Sequence, residues 1–254
     1  MRDLTVRIKQ IKKISADIFL VGFDSEYISR SALPGQFVHI NINSQKVILR
    51  RPFSIHQISG RAVYILFKVR GKGTEILSLK KPGDKIKVLG PLGRGFSLPE
   101  GRQKSVLIAG GIGIAPMVFL SRRIKKANKE YVLLGAKTKQ GILFKDYFKK
   151  QGFKVLVATE DGSVGYKGKV IDLLKSILAK EKSELKLYAC GPKPMYKSLR
   201  RIIRNRSNLR CQVSLEEFMG CGIGACKGCA VELKTGIKYV CKDGPVFNIE
   251  DLVL

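Results

Sequence analysis

The sequence predicts a mixed β and α/β protein: an N-terminal antiparallel β-barrel domain, a parallel-sheet domain and a small C-terminal segment rich in cysteine. Three observations predict it. Up to about residue 97, short apolar or alternating runs are broken by Gly, Pro, Asn and Ser, which is the pattern of strands and turns. Beyond that point, apolar runs alternate with segments of helical period, the pattern of a parallel sheet crossed by helices. The last forty or so residues hold four of the six cysteines among many glycines. They are too short for a core of their own, so something other than apolar burial must fix them, and a bound metal does this in small domains.

The elements follow in order. "LTVRIKQI", "DIFLVGF", "QFVHINI", "RPFSIHQI", "AVYILFKV" and "KIKVLG" are six strand-like runs, enough for a small barrel. After "LPEGRQK" the strands "SVLIAG", "YVLLGA", "KVLVAT", "LKLYAC" and "QVSLEE" alternate with the helical segments "APMVFLSRRIKKA", "FKDYFKKQ", "VIDLLKSILAK" and "PMYKSLRRIIRN".

At 254 residues the chain exceeds one compact core and suits two domains, or two with a small appendage. Charges interrupt every apolar run near the start, and no stretch approaches ~18 uninterrupted apolar residues, so a soluble cytoplasmic protein is expected. Disulfides are rare in that reducing compartment, which turns a tight cysteine cluster toward metal binding. The formal charge of +28 asks for a polyanionic partner. Its lysines and arginines are spread along the chain, however, and runs such as "SRRIKKANK" and "KSLRRIIRNR" fall on the polar faces of helices. No helix-turn-helix, zinc-finger or aromatic RNA-binding signature accompanies them, so nucleic acid is disfavoured as a partner. Basic charge also suits phosphate-bearing cofactors and an acidic protein surface. A zinc-stabilised nucleic-acid-binding module is the alternative from another class. No Ser-His-Asp, metal-hydrolase or paired-carboxylate arrangement is evident, which argues against hydrolysis.

Three motif regions carry the chemistry. "IAGGIGIAP", residues 108–116, lies at a strand-to-helix junction, where Gly110, Gly111 and Gly113 let a phosphate approach backbone amides. Its spacing departs from the G-x-G-x-x-G fingerprint with an acid ~20 residues later. "YACGPKP" closes the fourth strand of the same sheet, so Gly111, Gly113, Cys190 and Gly191 are expected to converge at the carboxyl ends of the strands. In the barrel, "LRRPFSI" and "FKVRGKGTEIL" read in isolation as an edge strand with its proline and a turn leading into a helix. Finally, Cys221, Cys226, Cys229 and Cys241 are spaced C-x4-C-x2-C with a more distant fourth cysteine, echoing plant-type [2Fe-2S] ligation. Gly220, Gly222, Gly224, Ala225 and Gly228 supply the small residues such a loop needs. Structural zinc prefers paired C-x2-C knuckles, of which one is present. Cys211, on a strand, reads as a buried small hydrophobe.

Taken in order, the R-P-x-S strand, the G-x-G-T helix start, "GPLGRGF", "GGIGIAP" and "CGPKPM" resemble the ferredoxin reductase-like flavoproteins. With "EEFMGCGIGACKGC" and "CKDGPVFN" appended, the chain from about residue 5 onward closely resembles the electron-transfer subunits of class B dihydroorotate dehydrogenase. The resemblance implies an FAD-binding β-barrel domain over 1–98, an NAD-binding α/β domain over 99–210 and a [2Fe-2S] cluster-binding segment over 211–254. It places FAD at Arg51, Pro52, Phe53 and Ser54, at Leu66, Phe67 and Lys68, and at Gly73 and Thr74. A cation and the amides of a helix start would face the pyrophosphate, Phe53 would lie against the flavin and Ser54 near its N5. NAD would meet Gly110, Gly111 and Gly113, with Cys190 facing the nicotinamide beside Gly191. Cys221, Cys226, Cys229 and Cys241 would hold the cluster.

In such a fold the third α/β strand, here "VLVATEDGS", ends at the adenosine ribose. Glu160 or Asp161 there would accept from a free 2′-hydroxyl and repel a 2′-phosphate, so NADH is expected to be preferred to NADPH. His39 and His56 are read as structural or flavin-adjacent, and Glu216 and Glu217 as orienting the cluster loop or lying near the flavin. The implied function is electron transfer in pyrimidine biosynthesis between a partner's FMN, the cluster, FAD and NAD. The implied partner is an FMN-containing dihydroorotate dehydrogenase catalytic subunit, in a heterotetramer of two of each, with no membrane involved. A reductase subunit of a hydrogenase or glutamate synthase-like complex is the rival within the same superfamily.

Overall fold

Alternation builds the first sheet. In Lys85–Leu92 the side chains of Ile86 and Val88 are buried while Lys85 and Lys87 face water, the period-two pattern of a barrel wall. The computed structural model describes residues 1–42, 47–204 and 206–253. Its six N-terminal strands are β1 (Arg2–Lys13), β2 (Ile18–Asp24), β3 (Phe37–Asn41), β4 (Arg51–Ser59), β5 (Ala62–Lys68) and β6 (Lys85–Leu92). They close in the order β1-β2-β5-β4-β3-β6, every pairing antiparallel. Closure removes the exposed edges an open sheet would carry. Helices α1 (Glu26–Ser31) and α2 (Lys72–Ser78) interrupt the strands.

The second sheet begins with β7 (Lys104–Gly110) and α3 (Ala115–Arg123), followed by β8 (Lys129–Ala136), α4 (Lys145–Lys150) and β9 (Lys154–Thr159). Then come β10 (Tyr166–Lys167), α5 (Val170–Leu178), β11 (Leu185–Cys190), α6 (Lys193–Ile203) and β12 (Leu209–Ser214). Strands β7 to β12 pair parallel in the order β10-β9-β8-β7-β11-β12. β11 is buried along its whole length, as a central parallel strand must be. Even Lys186 is covered there: burial holds its pKa down, while its ammonium donates to Ser97 Oγ at 2.8 Å and Leu98 O at 3.0 Å. Tyr188 donates to Ser97 O at 2.9 Å, so the segment leading into β7 is pinned to the sheet. In α6, Met195, Tyr196, Leu199 and Ile203 face inward while Lys197 and Arg201 stay in water, so the basic run sits on a solvated face. Asn205, the last residue of that segment, lies outside the described residues.

The remaining chain forms β13 (Ala230–Leu233), β14 (Gly236–Tyr239), α7 (Val240–Asp243) and β15 (Val246–Asn248), the last of which extends the sheet beside β12. The chain divides into two compact units: Met1–Gly95 with Glu216–Glu232 and Gly236–Val246, and Phe96–Leu215 with Leu233–Thr235 and Phe247–Leu254. The expected boundary at 210/211 falls inside β12, whose pairing to β11 carries Cys211 and Gln212 with the sheet. Most of the cysteine-rich segment belongs with the barrel. No helix among the described residues is long and apolar enough to cross a membrane.

Candidate functional site

In the barrel unit, β4 and α2 bring Arg51 and Gly73 together. A Cβ on Gly73 would lie 3.1 Å from Arg51 Nε and 3.3 Å from Ile42 Cδ1, so the missing side chain lets the guanidinium rest on the helix start. Arg51 Nη1 donates to the carbonyls of Leu49 (2.8 Å) and Arg50 (3.2 Å), which aims the cation without neutralising it. The hydroxyl of Thr74 accepts from the amides of Arg70 (2.9 Å) and Gly71 (3.2 Å) and donates to Gly71 O (2.9 Å). One donor and two acceptor sites exhaust a hydroxyl, so Thr74 shapes this turn rather than reaching outward. The amides of a first helical turn have no intrahelical acceptor, and together with Arg51 they suit an anionic group. Phe53 is 7% exposed, with its ring centroid 5.5 Å from that of Phe67, so protein already covers most of the ring expected to meet a flavin. Ser54 is half-buried on the same strand. Leu66 and Phe67 are buried, and Lys68 pairs with Asp17 at 3.0 Å. Pro52 stands opposite His39 in the ladder.

In the sheet unit, the strand order reverses between β7 and β11, and ligands of such folds sit beyond the carboxyl ends at that point. The glycine turns meet there. A Cβ on Gly113 would run into the carbonyl of Cys190. One on Gly110 would lie 2.9 Å from Pro192 Cδ, and one on Gly191 2.7 Å from Met195 Cε. Gly111 has φ +56° with open space around its Cα, so it is required for conformation and leaves the turn approachable. Cys190 is buried. Tyr196, which the motif reading passed over, fastens the turn: its hydroxyl accepts from the Gly191 amide at 2.9 Å and donates to Ser214 O at 2.7 Å. Its signal was its place in "CGPKPMY", just beyond the second glycine turn. At the end of β9, Glu160 is exposed, whereas Asp161 accepts from Ser163 N (2.9 Å) and Ser163 Oγ (2.6 Å). Those Ser163 bonds hold the Asp161 carboxyl below its ordinary pKa and commit it to its own turn.

Three of the four cysteines, Cys221, Cys226 and Cys229, lie on one loop of the barrel unit, and α7 brings Cys241 against it. Cys221 Sγ accepts from the amides of Cys226 (3.3 Å) and Ile223 (3.5 Å), Cys241 Sγ from Gly224 N (3.0 Å), and Cys229 Sγ from Cys241 N (3.4 Å). Side chains interact as Cys221 with Cys226 and Cys229 with Cys241, and Cys221 also acts on Cys241 across the group. Among the described residues, no three His, Cys, Asp or Glu side chains close on a single point as one metal ion would require. Four thiols gathered in this way would suit a two-iron cluster better than a single metal ion. Burial pushes the Cys221 thiol up, but the amides of Cys226, Ile223 and Ala225 together bring it down to about 6. Cys241 is pushed up to about 12 by burial and by Cys229. Gly220 and Gly228 flank Cys226, a Cβ on either lying 3.4 and 3.6 Å from its Sγ. Glu216 is exposed, with Arg70 as its cationic neighbour, and His56 is buried. Cys211, also buried, has its thiol pushed well up. A basic concavity lined by Arg200, Arg201, Arg204, Arg206, Arg210 and Lys234 lies where α6 leads into β12, at the end of the strands opposite the glycine turns.

Comparison with known proteins decides what these turns and this loop belong to. Residues 216–253 match the family described as the iron-sulfur cluster binding domain of dihydroorotate dehydrogenase B, and residues 107–201 match the oxidoreductase NAD-binding domain. The dihydroorotate dehydrogenase B (NAD(+)) electron transfer subunit of Desulforamulus reducens is 41% identical, across 95% of this chain and 94% of that protein. That of Caldanaerobacter subterraneus subsp. tengcongensis is 39% identical across 98% of both. The chain belongs to the dihydroorotate dehydrogenase B electron transfer subunit family. A solved NADH-dependent reduced ferredoxin-NADP oxidoreductase chain is similar to this family member at TM-score 0.87 and 34% identity, over 98% of this chain and 89% of that one. The ferredoxin NADP+ reductase of Neisseria gonorrhoeae, 16% identical with TM-score 0.68 over 85% of this chain and 100% of that one, shares the fold.

Proposed function

We propose that the chain is the electron-transfer subunit of an NAD-dependent dihydroorotate dehydrogenase, working in the cytoplasm in pyrimidine biosynthesis. In this reading Cys221, Cys226, Cys229 and Cys241 hold a [2Fe-2S] cluster. Arg51 and the α2 turn shaped by Thr74 hold the FAD pyrophosphate, with Pro52, Phe53, Ser54, Leu66, Phe67, Lys68 and Gly73 around the cofactor. Gly110, Gly111, Gly113, Cys190 and Gly191 receive NAD(H), and Glu160 accepts from the adenosine ribose. Bound flavin exchanges two electrons with a nicotinamide as hydride and single electrons with an iron-sulfur centre, so it can join carriers of unlike capacity. The chain's own contribution is to bind and orient. Arg51 fixes an anionic linkage, Gly113 and Gly191 let main chain approach main chain, and the loop amides direct N–H dipoles at the thiolates.

The observation that carries the reading is the gathering of the four sulfurs among main-chain amides of the cysteine loop and α7, in a chain whose curated relatives bear this name over nearly their full length. In this reading the dihydroorotate site belongs to an FMN-containing catalytic partner, two copies of each chain forming the complex. Anaerobically purified chain should carry FAD and about two irons with matching sulfide. It should oxidise NADH with artificial acceptors, yet reduce NAD with dihydroorotate only after the partner is added. Stoichiometric zinc without sulfide, or dihydroorotate-dependent NAD reduction by this chain alone, would overturn the reading. The 34% identity to a ferredoxin-NADP oxidoreductase chain favours a second reading, in which the partner handles ferredoxin rather than dihydroorotate. Electron transfer that requires ferredoxin and is indifferent to dihydroorotate would select it.

A further inference from the structure

His39 is a buried polar group with no evident reason to be polar. It lies in the middle of β3, opposite Pro52 of β4 and Leu89 of β6, and is 0% exposed. Neither ring nitrogen has a partner at hydrogen-bonding geometry among the described residues. An unsatisfied buried polar group costs about 1–3 kcal/mol, so an apolar residue would serve the barrel wall better unless the imidazole has a task. What it faces is the cysteine loop. A Cβ on Gly222 would run into His39 Nδ1 and lie 3.2 Å from Cε1 and Cγ, so the loop is laid directly on the ring. Gly222 also has φ +77°, a conformation that L side chains rarely adopt. Burial holds the imidazole below its ordinary pKa, with main-chain groups of Cys221, Arg50 and Met219 opposing that shift and the Arg50 guanidinium adding to it. In either protonation state the imidazole carries an N–H donor.

We propose that His39 is a positioning residue for the iron-sulfur cluster: its imidazole, packed under Gly222, holds the loop bearing Cys221 in register, and its N–H raises the cluster potential. The inference rests on the reading that the four cysteines hold the cluster. An N–H dipole directed at this loop makes its surroundings more positive and favours the reduced cluster, which carries one more negative charge; outer-shell groups of this kind set cluster potentials. A purely packing role would need only the ring's volume.

The test is a dye-mediated redox titration of the purified holoprotein, read by paramagnetic resonance for the cluster and by absorbance for the flavin. His39→Leu, which removes the donor, should lower the cluster midpoint by about 59 mV, a tenfold change in the reduced-to-oxidised ratio for one electron. His39→Gln, which retains an N–H, should return most of that shift, and the flavin midpoint should not move. Should His39→Leu fail to fold, His39→Phe fills the space without a donor and takes its place. Equal cluster potentials in wild type and the donor-free variant, or equal displacement in the donor-free and Gln variants, would overturn the proposal while leaving the functional reading intact. A wild-type protein that assembles no [2Fe-2S] centre would overturn that reading and this inference with it.

Discussion

The sheet unit and the barrel unit each contain a glycine-rich turn region, and glycine does different work in the two. Around Gly110, Gly113 and Gly191 the missing side chains make room for other protein: Pro192, the Cys190 carbonyl and Met195 stand where a Cβ would project. In the cysteine loop, Gly222 and Gly224 adopt φ of +77° and +85°, while Gly220 and Gly228 clear space around Cys226 Sγ. The first region is a close-packed junction of two strand ends. The second is a wrapped loop, shaped for sulfur and whatever sulfur holds. Composition alone makes them look alike, and the difference lies in which atoms occupy the missing volume.

That contrast is most easily broken at the cysteines. Replacing any one of Cys221, Cys226, Cys229 or Cys241 by Ser should abolish or alter the paramagnetic signal of the dithionite-reduced protein, whereas Cys211→Ser should leave it unchanged, since Cys211 is buried in the other unit. Next in size is Gly113→Ala. Its new methyl meets main chain that has no rotamer to escape into, so about 1–3 kcal/mol of stability should be lost. Thermal unfolding should show this loss, and a nicotinamide titration should show weaker NADH binding, about tenfold for each 1.4 kcal/mol of binding free energy lost. Gly111→Ala, with only its left-handed φ to oppose it, should cost less, about 1–2 kcal/mol.

Tyr196→Phe sharpens the comparison from the other side. It keeps the packing but removes the hydroxyl between the Gly191 amide and Ser214 O, and should cost about 1–3 kcal/mol by leaving those groups unmet. A raised KM for NADH with an unaltered cluster spectrum is the expected signature. Glu160→Gln should produce the smallest change, a several-fold loss of preference for NADH over NADPH in dye-reduction assays, with Asp161→Asn having less effect on nucleotide choice. Asp161 instead bears on acid stability. Its folded pKa is depressed by Ser163, so its contribution is present above the ordinary carboxylate range and is lost as pH falls through the folded value. The Asp161→Asn protein should accordingly show a shallower stability loss in acid.

The sequence made the architecture readable because each period was clean. Lys85–Leu92 alternates in twos, and α5 buries Val170, Ile171, Leu174, Ile177 and Leu178 at helical spacing. Convergence of Gly113 with Cys190 was also readable, because parallel strands place their carboxyl ends together. Three features were not. Thr74 matches a cofactor motif, but only coordinates reveal that its hydroxyl is saturated by its own turn. Phe53 was expected to offer its ring to a flavin, and its packing on Phe67 depends on how β4 and β5 twist past one another. His39 lies under a loop far along the chain, and no local pattern reports a contact between residues so distant in sequence. The same long-range folding explains why the cysteine-rich segment joins the barrel, although the strand just before it belongs to the sheet.

The four cysteines are not equally sheltered. Cys229 and Cys241 are each 2% exposed, Cys221 is partly covered, and Cys226 stands open to solvent. A two-iron centre held by these four sulfurs would have an inner and an outer edge. Its outer edge, at Cys226, would offer the shortest path for an electron leaving the chain and would equally be the first place dioxygen or peroxide would meet. Speed of exchange and vulnerability to oxidants would thus fall on one sulfur.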